Sequence, residues 1–195
     1  MMQMPLDETE TLSDDALLLL FARGDTRAAE VLTLRLMPVV LAHSYRLLGD
    51  RAEAEDVAQE AMLKLWRMAP DWRQGEAKVT TWLYRVVANA CTDRLRKRRT
   101  VALEAVAEPE DGAASVAAQL QERARVEALQ QALNGLPERQ RQAVVLRHIE
   151  GLANPEIAAI MDVKIEAVES LTARGKRALK AALEGRKDEL GYEDD

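Results

Sequence analysis

Apolar residues recur every three or four positions along most of the chain, and no stretch alternates convincingly between apolar and polar residues. A repeat near 3.6 residues is the period of an amphipathic helix, whereas alternation would indicate a half-buried strand. The pattern therefore predicts an all-α fold. In the first half of the chain it predicts a compact bundle of four helices, at residues 14–22, 26–48, 51–68 and 77–98.

Residues at the ends of these segments have the chemistry of helix boundaries. Ser13 and Asp25 are predicted N-caps, because their side-chain oxygens can accept hydrogen bonds from the free amides of a first turn. Gly49 is a predicted stop. Asp50, with Glu53 three residues later, indicates a variant of the capping box at the start of the third helix.

A second helical unit follows a predicted flexible linker. Residues 100–114 are rich in Ala, Glu, Pro, Asp and Gly and have no periodic apolar face. Asn154 is the predicted cap of a helix with Pro155 at its first position. A charged tail is predicted at residues 187–195. The helical pattern of the second unit covers residues 115–133, 137–149, 155–161 and 165–183.

Only three residues separate the last two helices, a spacing that suits a helix-turn-helix. At about 100° per residue, the inward side of the final helix comprises Ile165, Val168, Thr172, Gly175, Leu179 and Leu183. The opposite side comprises Ala167, Ser170, Arg174 and Arg177. Small residues allow close approach to a DNA groove, and arginines can contact phosphates or guanine. The alternative is a helical hairpin with a solvated basic face, which Glu166 and Glu169 favour.

The helix at residues 51–68 has an acidic outer face. Its predicted inner side is apolar and comprises Ala54, Val57, Ala58, Ala61 and Leu65. The outer side carries a leucine among polar and acidic residues: Asp56, Gln59, Glu60 and Leu63. Such a surface suits a basic protein partner with an apolar patch. A solvated face with one exposed leucine is the alternative.

The next helix has a basic, tryptophan-bearing outer face. Its predicted inner side comprises Leu83, Tyr84, Val87, Cys91 and Leu95, and its outer side comprises Trp82, Arg85, Asn89, Asp93 and Arg96. An unpaired base can stack on an exposed indole while arginines contact the phosphates. Trp66 lies just before the predicted loop 67–76 and Trp72 lies within it, and this loop could shape a pocket for an extruded base. Core or half-buried packing is the alternative for each tryptophan, and it is favoured for Trp66.

Charge and composition narrow the function classes. The chain has a net charge of −6, which by itself argues against nucleic acid. Residues 1–60, however, carry 5 basic and 12 acidic residues, whereas residues 61–100 carry 10 basic and 3 acidic. Salt screens charges beyond about 8 Å, so local patches decide binding. No phosphate loop or activated nucleophile is visible, so neither enzyme activity nor a cofactor is expected.

Cysteine and histidine content argues against a metal site. Cys91 is the single cysteine, which suits a reducing compartment, and His43 and His148 are far apart in the sequence. No run of about 18 apolar residues predicts a membrane span. The expected location is the cytoplasm.

Three motifs in order give the chain a family resemblance: EDVAQEAMLKLW, TTWLYRVVANACTDRLRKRR and LPERQRQAVVLRHIEGLANPEIAAIMDV. Together they resemble a bacterial extracytoplasmic-function (ECF) sigma factor of the sigma-70 family, over residues 14–183. The resemblance implies two small helical domains. Sigma region 2, a four-helix bundle, would span 14–99, and region 4, with the helix-turn-helix, would span 115–186 after the linker at 100–114.

The resemblance also implies partners and residue roles. Asp56, Gln59, Glu60 and Leu63 would dock on the clamp helices of the RNA polymerase beta-prime subunit, and region 4 would meet the beta flap. Loop 67–76 and the next helix would bind the minus-10 DNA strand through Trp82, Arg85, Asn89, Arg94, Arg96, Lys97, Arg98 and Arg99. The final helix would bind minus-35 DNA through Lys164, Ala167, Ser170, Leu171, Arg174 and Arg177. Members of the family are usually controlled by an anti-sigma factor, so the resemblance implies such control here, in a stress response.

The final helix departs from the family pattern. Glu169 stands where many members have lysine, and Leu171 stands where many have arginine. Leu171 would then contact a thymine methyl group or a protein partner. Two other functions fit parts of the sequence. One is a stand-alone helix-turn-helix regulator that binds duplex operator DNA, and the other is a helical adaptor without DNA dependence.

Overall fold

A computed structural model of the chain describes residues 11–73, 75, 77–102 and 117–184, with only the backbone described at 99–102 and 117–123. All regular elements of these residues are helical, which confirms the predicted all-α class. The first four helices are α1 (Asp14–Ala22), α2 (Thr26–Leu48), α3 (Arg51–Met68) and α4 (Val79–Ala102). The later ones are α5 (Ala117–Asn134), α6 (Glu138–Val144), α7 (Asn154–Met161) and α8 (Ile165–Glu184).

The chain divides into two compact units. Unit 1 comprises Met1–Tyr45 with Asp50–Cys91, and unit 2 comprises Arg46–Gly49 with Thr92–Asp195. Helix α4 continues to Ala102, past the predicted start of the linker. The remainder of that linker, 103–114, and the predicted charged tail lie outside the described residues.

The boundaries of the first helices follow the chemistry predicted from the sequence. Ser13 Oγ accepts a hydrogen bond from the Ala16 amide at 3.3 Å. Asp25 Oδ1 accepts from the Arg27 amide at 3.0 Å. Asp50 Oδ1 accepts from the Glu53 amide at 2.9 Å. Each bond satisfies an amide that a helix start leaves without an intrahelical partner, at about 1 kcal/mol per cap.

The core of unit 1 is formed by one side of each helix. The side chains that are 0–1% exposed include Leu17, Leu32, Leu36, Val40, Val57, Leu65, Leu83 and Val87. One described helix, α2, is long and apolar enough to cross a membrane by length and composition alone. A helix in the core of a soluble bundle has the same composition, so this finding is weak evidence for a span.

Unit 2 packs α6, α7 and α8 around a second core that includes Val144, Leu146, Ile157 and Val168. Arg141 is only 8% exposed, and its Nη2 group donates to the carbonyl oxygens of Asn134 at 3.0 Å and Leu136 at 3.3 Å. These carbonyls lie at the end of α5 and in the turn after it, so the buried guanidinium compensates carbonyls that the helix end leaves without amide donors.

Helices α7 and α8 form the predicted helix-turn-helix pair. Asp162 ends α7 in a left-handed conformation, with φ 51° and ψ 56°, and only Val163 and Lys164 then precede α8. Asp and Asn tolerate this conformation better than most residues other than glycine. The three-residue turn that the sequence predicts is therefore present.

Two details of unit 2 differ from the sequence prediction. Asn154 is the first helical residue of α7 and not its cap, and the Glu156 carboxylate accepts from the Ala153 amide at 3.0 Å instead. Ile165, predicted to face inward, is 43% exposed. It is the first residue of α8, and the buried side of that helix begins one turn later, at Val168.

Segment 137–149, predicted as one helix, changes form within its length. Helix α6 ends at Val144, and Val145–Ile149 forms a wider π-helical turn. The turn is closed by the Glu150 amide, which donates to the Val145 carbonyl at 3.0 Å. Hydrophobic periodicity does not distinguish the two kinds of helix over five residues.

Gly175 lies at the closest approach of α8 to α6. A Cβ atom there would be 2.5 Å from Val144 Cγ2 and 3.1 Å from the Gln140 carbonyl oxygen. Replacing an interior helical glycine by alanine normally stabilises a helix by about 1 kcal/mol. Here we expect overpacking to exceed that gain, so that Gly175→Ala destabilises unit 2 by about 1–2 kcal/mol.

The measurement is urea denaturation of the full chain. Trp66, Trp72 and Trp82 are the only tryptophans and all belong to unit 1, so fluorescence follows that unit, while far-UV circular dichroism follows both. Gly175→Ala should lower the dichroism midpoint more than the fluorescence midpoint. Gly135→Ala is the matched control, because its Cβ would lie 3.5 Å from the Ala132 carbonyl oxygen, which is an ordinary van der Waals contact. Equal stability of the two variants would contradict the packing argument.

Candidate functional surfaces

The outer side of α3 presents an acidic surface around one leucine. Asp56, Gln59 and Glu60 are exposed, and Leu63 is 54% exposed. The opposite side of the helix is sealed in the core, where the five predicted inner residues are at most 1% exposed: Ala54, Val57, Ala58, Ala61 and Leu65. The buried side fixes the rotation of the helix and therefore the direction of the acidic surface.

The acidic surface includes an exposed ion pair that a partner could replace. Glu60 Oε1 lies 2.8 Å from Lys64 Nζ, one turn later, and both side chains are nearly half exposed. Exposed pairs at this spacing contribute about 0.3–0.5 kcal/mol. A cation from another protein can therefore compete with Lys64 for the Glu60 carboxylate at small cost.

Helix α4 presents a tryptophan beside polar and cationic side chains. Leu83, Tyr84, Val87 and Cys91 are buried, as the sequence predicts, and Leu95 is half-buried. On the other side, Arg85 and Asn89 are exposed and Trp82 is half-exposed. Residues three and four apart are neighbours on a helix surface, so these three side chains form one patch. Part of the Trp82 indole is open to a stacking partner.

The other two tryptophans are held by α1. The rings of Trp66 and Phe21 meet edge to face, with centroids 4.8 Å apart. The indole N–H of Trp72 donates to Asp15 Oδ1 at 3.0 Å. Trp66 therefore packs within the bundle, as favoured from the sequence. The bond from Trp72 to α1 was not predicted, because residues 15 and 72 are far apart in the sequence and share no motif.

The basic run at the end of α4 is not uniform. Arg96 and Lys97 are exposed, whereas Arg94 and Arg98 are half-buried. Arg98 Nη1 donates to the Leu48 carbonyl oxygen at 3.3 Å, at the end of α2. Arg96 lies 3.8 Å from Asp93, a separation typical of a weak surface pair. Arg98 thus has a structural contact that the charge pattern alone does not indicate. The Arg99 side chain lies outside the described residues.

The predicted DNA-facing side of α8 is largely open. Lys164, Ser170, Arg174 and Arg177 are exposed, and Ala167 and Leu171 are half-buried. The two carboxylates on the neighbouring side, Glu166 and Glu169, are exposed as well. Arg174 Nε donates to the Ser170 carbonyl oxygen at 3.2 Å, which orients the guanidinium along the helix. The arrangement offers three cations around a shallow surface made by the small residues Ala167 and Ser170.

His148 adds no cation to unit 2 near neutral pH. Partial burial lowers the pKa of its imidazole below the usual value, and the positive charges of Lys176 and Arg147 lower that pKa further. Each effect disfavours the protonated form. In the part of the chain that the structure describes, no group of three or more His, Cys, Asp or Glu side chains could hold a metal ion.

An open apolar groove of about 580 Å³ lies on unit 1. Its lining comes from α1, α2 and α3 and comprises Phe21, Ala29, Glu30, Thr33, Leu34 and Trp66. Leu34 is 79% exposed, which is unusual for a large aliphatic side chain. The sequence reasoning missed this groove. The sequence feature that could have indicated the groove is Leu34, a large apolar residue that lies off the buried side of α2 marked by Leu32 and Leu36.

Two family models match the chain in succession. Sigma-70 region 2 matches residues 32–101, and Sigma-70, region 4 matches residues 126–179. The RNA polymerase sigma-H factor of Pseudomonas aeruginosa is 35% identical over 173 residues, covering 83% of this chain and 89% of that protein. The ECF RNA polymerase sigma-E factor of Escherichia coli K12 is 33% identical over 184 residues, covering 88% and 94%.

Solved structures give the same likeness. CnrH, solved in complex with the cytosolic domain of CnrY, has a TM-score of 0.64 and 27% identity, covering 88% of this chain and 97% of that one. The sigma factor RpoE of Bartonella quintana, solved in complex with the anti-sigma factor NepR, has a TM-score of 0.62 and 24% identity, covering 78% and 94%. Because its sequence identity is only 24%, the similarity to RpoE shows a shared fold alone.

Arg98 and Lys97 allow the stability contribution of a cation with a structural hydrogen bond to be compared with that of an exposed cation. Arg98→Met removes the donor to the Leu48 carbonyl, so we expect the free energy of unfolding to fall by about 0.5–1.5 kcal/mol. Lys97→Met removes an exposed charge and should change that free energy by less than about 0.5 kcal/mol. Urea denaturation followed by circular dichroism measures both. If Lys97→Met is as destabilising as Arg98→Met, the structural role of Arg98 is wrong.

Proposed function

The chain belongs to the sigma-70 family and matches its extracytoplasmic-function members, and from that premise we propose how its residues divide the work of starting transcription. It is a transcription initiation factor, not an enzyme: it binds core RNA polymerase and directs it to promoters. Polymerase supplies the chemistry. The sigma chain supplies binding energy, which must be larger for open than for closed promoter DNA to promote opening.

We propose that the acidic surface of α3 docks on the clamp helices of the beta-prime subunit. Its support is the exposure of Asp56, Gln59 and Glu60 around the apolar side chain of Leu63. Complementary charges steer two proteins together and fix their register, while a central apolar contact excludes water. A basic partner surface with an apolar patch fits this arrangement.

We propose that α4 binds the non-template strand of the minus-10 element. Trp82 would stack on an unpaired base, and Arg85 and Asn89 would contact the same strand. Extruding a base costs a few kcal/mol, and stacking on an aromatic side chain returns about 1–3 kcal/mol per base. Contacts to phosphates must supply the remainder. Their proposed sources are Arg94, Arg96, Lys97, Arg98 and Arg99.

We propose that α8 enters the major groove of the minus-35 element, which the docking geometry of a helix-turn-helix supports. Lys164, Arg174 and Arg177 would contact phosphates or guanine, and Ala167 and Ser170 would allow close approach. Leu171 would meet a thymine methyl group or a protein partner. Region 4 would also meet the beta flap. The corresponding domain bounds are 14–99 for region 2, 100–114 for the linker and 115–186 for region 4.

We further propose that a protein inhibitor controls the chain in the cytoplasm, in response to stress. The support is CnrH, 27% identical to this chain, which was solved in complex with the cytosolic domain of CnrY. An anti-sigma factor placed between regions 2 and 4 would block both polymerase and DNA. On this proposal α2 is a core helix of region 2 and not a membrane span.

One observation carries the proposal: the two sigma-region models match in order on one chain, and each matched segment presents the exposed surface that its role requires. A stand-alone helix-turn-helix regulator would leave the match to region 2 and the α3 and α4 surfaces without a role. The deciding experiment adds the purified chain to core RNA polymerase and tests run-off transcription from genomic promoter fragments. Tight operator binding without polymerase would favour the regulator instead.

Replacing Asp56 and Glu60 by alanine together should weaken docking on core polymerase. Loss of two interfacial charges lowers the association rate and the affinity, and we expect a decrease in affinity of about tenfold or more. Titration of labelled chain with core polymerase measures this. The control is Glu30→Ala with Asp71→Ala, which removes the same charge from α2 and from the 3-10 turn after α3. Equal losses in the two double variants would refute a specific role for the α3 surface.

Trp82→Ala should impair promoter opening while leaving docking on core unchanged. Loss of one stacking surface corresponds to about 1–3 kcal/mol, or about 5- to 150-fold in open-complex formation. Permanganate reactivity of unpaired thymines measures opening, and the core titration measures docking. Trp82→Tyr keeps an aromatic face and should retain most of the opening. If Trp82→Ala weakens docking and spares opening, the assignment is wrong.

A further inference from the structure

Helix α1 lies before the residues that the region 2 model matches, yet it is fixed to the bundle at three points. Arg35 Nη1 contacts Asp14 Oδ1 at 2.6 Å and donates to the Leu12 carbonyl oxygen at 2.9 Å. At the other end of α1, Phe21 packs edge to face on Trp66. The third point is the bond from the Trp72 indole N–H to Asp15.

The bond between Asp15 and Trp72 acts on the connection between α3 and α4. Helix α3 runs into a 3-10 turn, Ala69–Asp71, in which Ala69 is fully buried. Trp72 then leaves this turn in an extended conformation, and α4 begins at Val79. Arg73 and Lys78, on either side of this connection, are exposed, and Trp82 follows in the first turn of α4. The Trp72 indole is thus bonded to α1 at the point where the chain leaves the 3-10 turn and continues toward α4.

The contact has more effect on Trp72 than on α1. Helix α1 keeps its Ser13 cap, the Arg35 pair and the Phe21 contact without Asp15, and Leu17 and Leu18 are fully buried. Trp72 is only half-buried, and its indole N–H is a single donor that Asp15 accepts. A hydrogen bond to a carboxylate is stronger than one between neutral groups. Loss of the Asp15 acceptor therefore loosens the connection before it loosens the helix.

We propose that Asp15 is a positioning residue for promoter opening, which fixes the Trp72 indole and thereby anchors the start of the connection to the Trp82 surface. This inference rests on the proposed function of that surface in binding unpaired minus-10 bases. A side chain that is already fixed in the free protein, as the Trp72 indole is by Asp15, loses less conformational entropy when DNA binds beside it. The carboxylate acts through Trp72 and does not itself contact the strand.

The test measures base discrimination by holoenzyme assembled from the full chain and core polymerase. The DNA is a fork junction built on a promoter fragment that wild-type holoenzyme transcribes, with the non-template minus-10 strand unpaired. One version has natural bases and the other has abasic positions. The readout is the dissociation constant of the abasic DNA divided by that of the natural DNA. Asp15→Leu should lower this ratio by about 3- to 10-fold, the range expected for one lost hydrogen bond.

Two further variants separate the loss of the hydrogen bond from the change in the size of the side chain at position 15. Asp15→Asn keeps an acceptor oxygen and should retain a ratio near that of the wild type. Trp72→Phe removes the N–H donor and should lower the ratio as Asp15→Leu does, and the double variant should be no worse than either single one. If Asp15→Leu does not fold, Trp72→Phe decides the question alone.

Ser13→Ala is the control for a merely structural role. It removes the α1 cap and weakens the same helix, but it leaves the Trp72 acceptor in place. It should not change the ratio. A ratio within twofold of wild type for both Asp15→Leu and Trp72→Phe, or an equal loss for Ser13→Ala, would overturn the inference while leaving the proposed function intact. If wild-type holoenzyme transcribes no fragment, the proposed function fails, and this inference fails with it.

Discussion

An amphipathic helix in a small bundle can bury only one side, and this constraint determines which residues of the chain are available to partners. On α3 the burial of Val57 and Leu65 orients Asp56 outward, and on α4 the burial of Leu83 and Val87 does the same for Arg85. Each buried aliphatic side chain contributes about 1.5–3 kcal/mol. Rotating either helix to hide its polar side would lose several such contributions. The surfaces are therefore fixed by the core, whose own residues are buried.

Because a single period sets both sides of a helix, the sequence predicts much of the fold and of the candidate surfaces. The inner residues of α3, such as Ala54 and Ala61, and the exposure of Leu63 follow from spacing alone. Contacts between distant segments do not. The bond from Arg98 to the Leu48 carbonyl joins two helix ends that are fifty residues apart. The capping of a helix start is also ambiguous in the sequence. Either Asn154 or Glu156 could accept from an amide at the start of α7, and in the structure Glu156 accepts from the Ala153 amide.

The net charge of the chain is a poor guide to its partners because charge is segregated along it. The acidic surface lies on α3 and the basic residues lie near the end of α4, the next α-helix, and each acts over roughly the 8 Å screening distance of physiological salt. An acidic chain can therefore bind a polyanion through one patch while another patch binds protein. Exposed ion pairs inside these patches, such as Glu60 with Lys64, are weak enough to exchange for contacts with a partner.

Promoter opening by a sigma factor is a balance of terms that nearly cancel, and this explains how a contact outside the DNA surface can matter. Unpairing and extruding a base costs a few kcal/mol, and stacking and phosphate contacts return a similar amount. When the difference is that small, a change of about 1.4 kcal/mol alters the ratio of open to closed complex tenfold. The anchoring of Trp72, at the start of the connection between α3 and α4, enters this balance as entropy. A carboxylate on α1 that holds one indole in place therefore acts on the same scale as a direct contact to the strand.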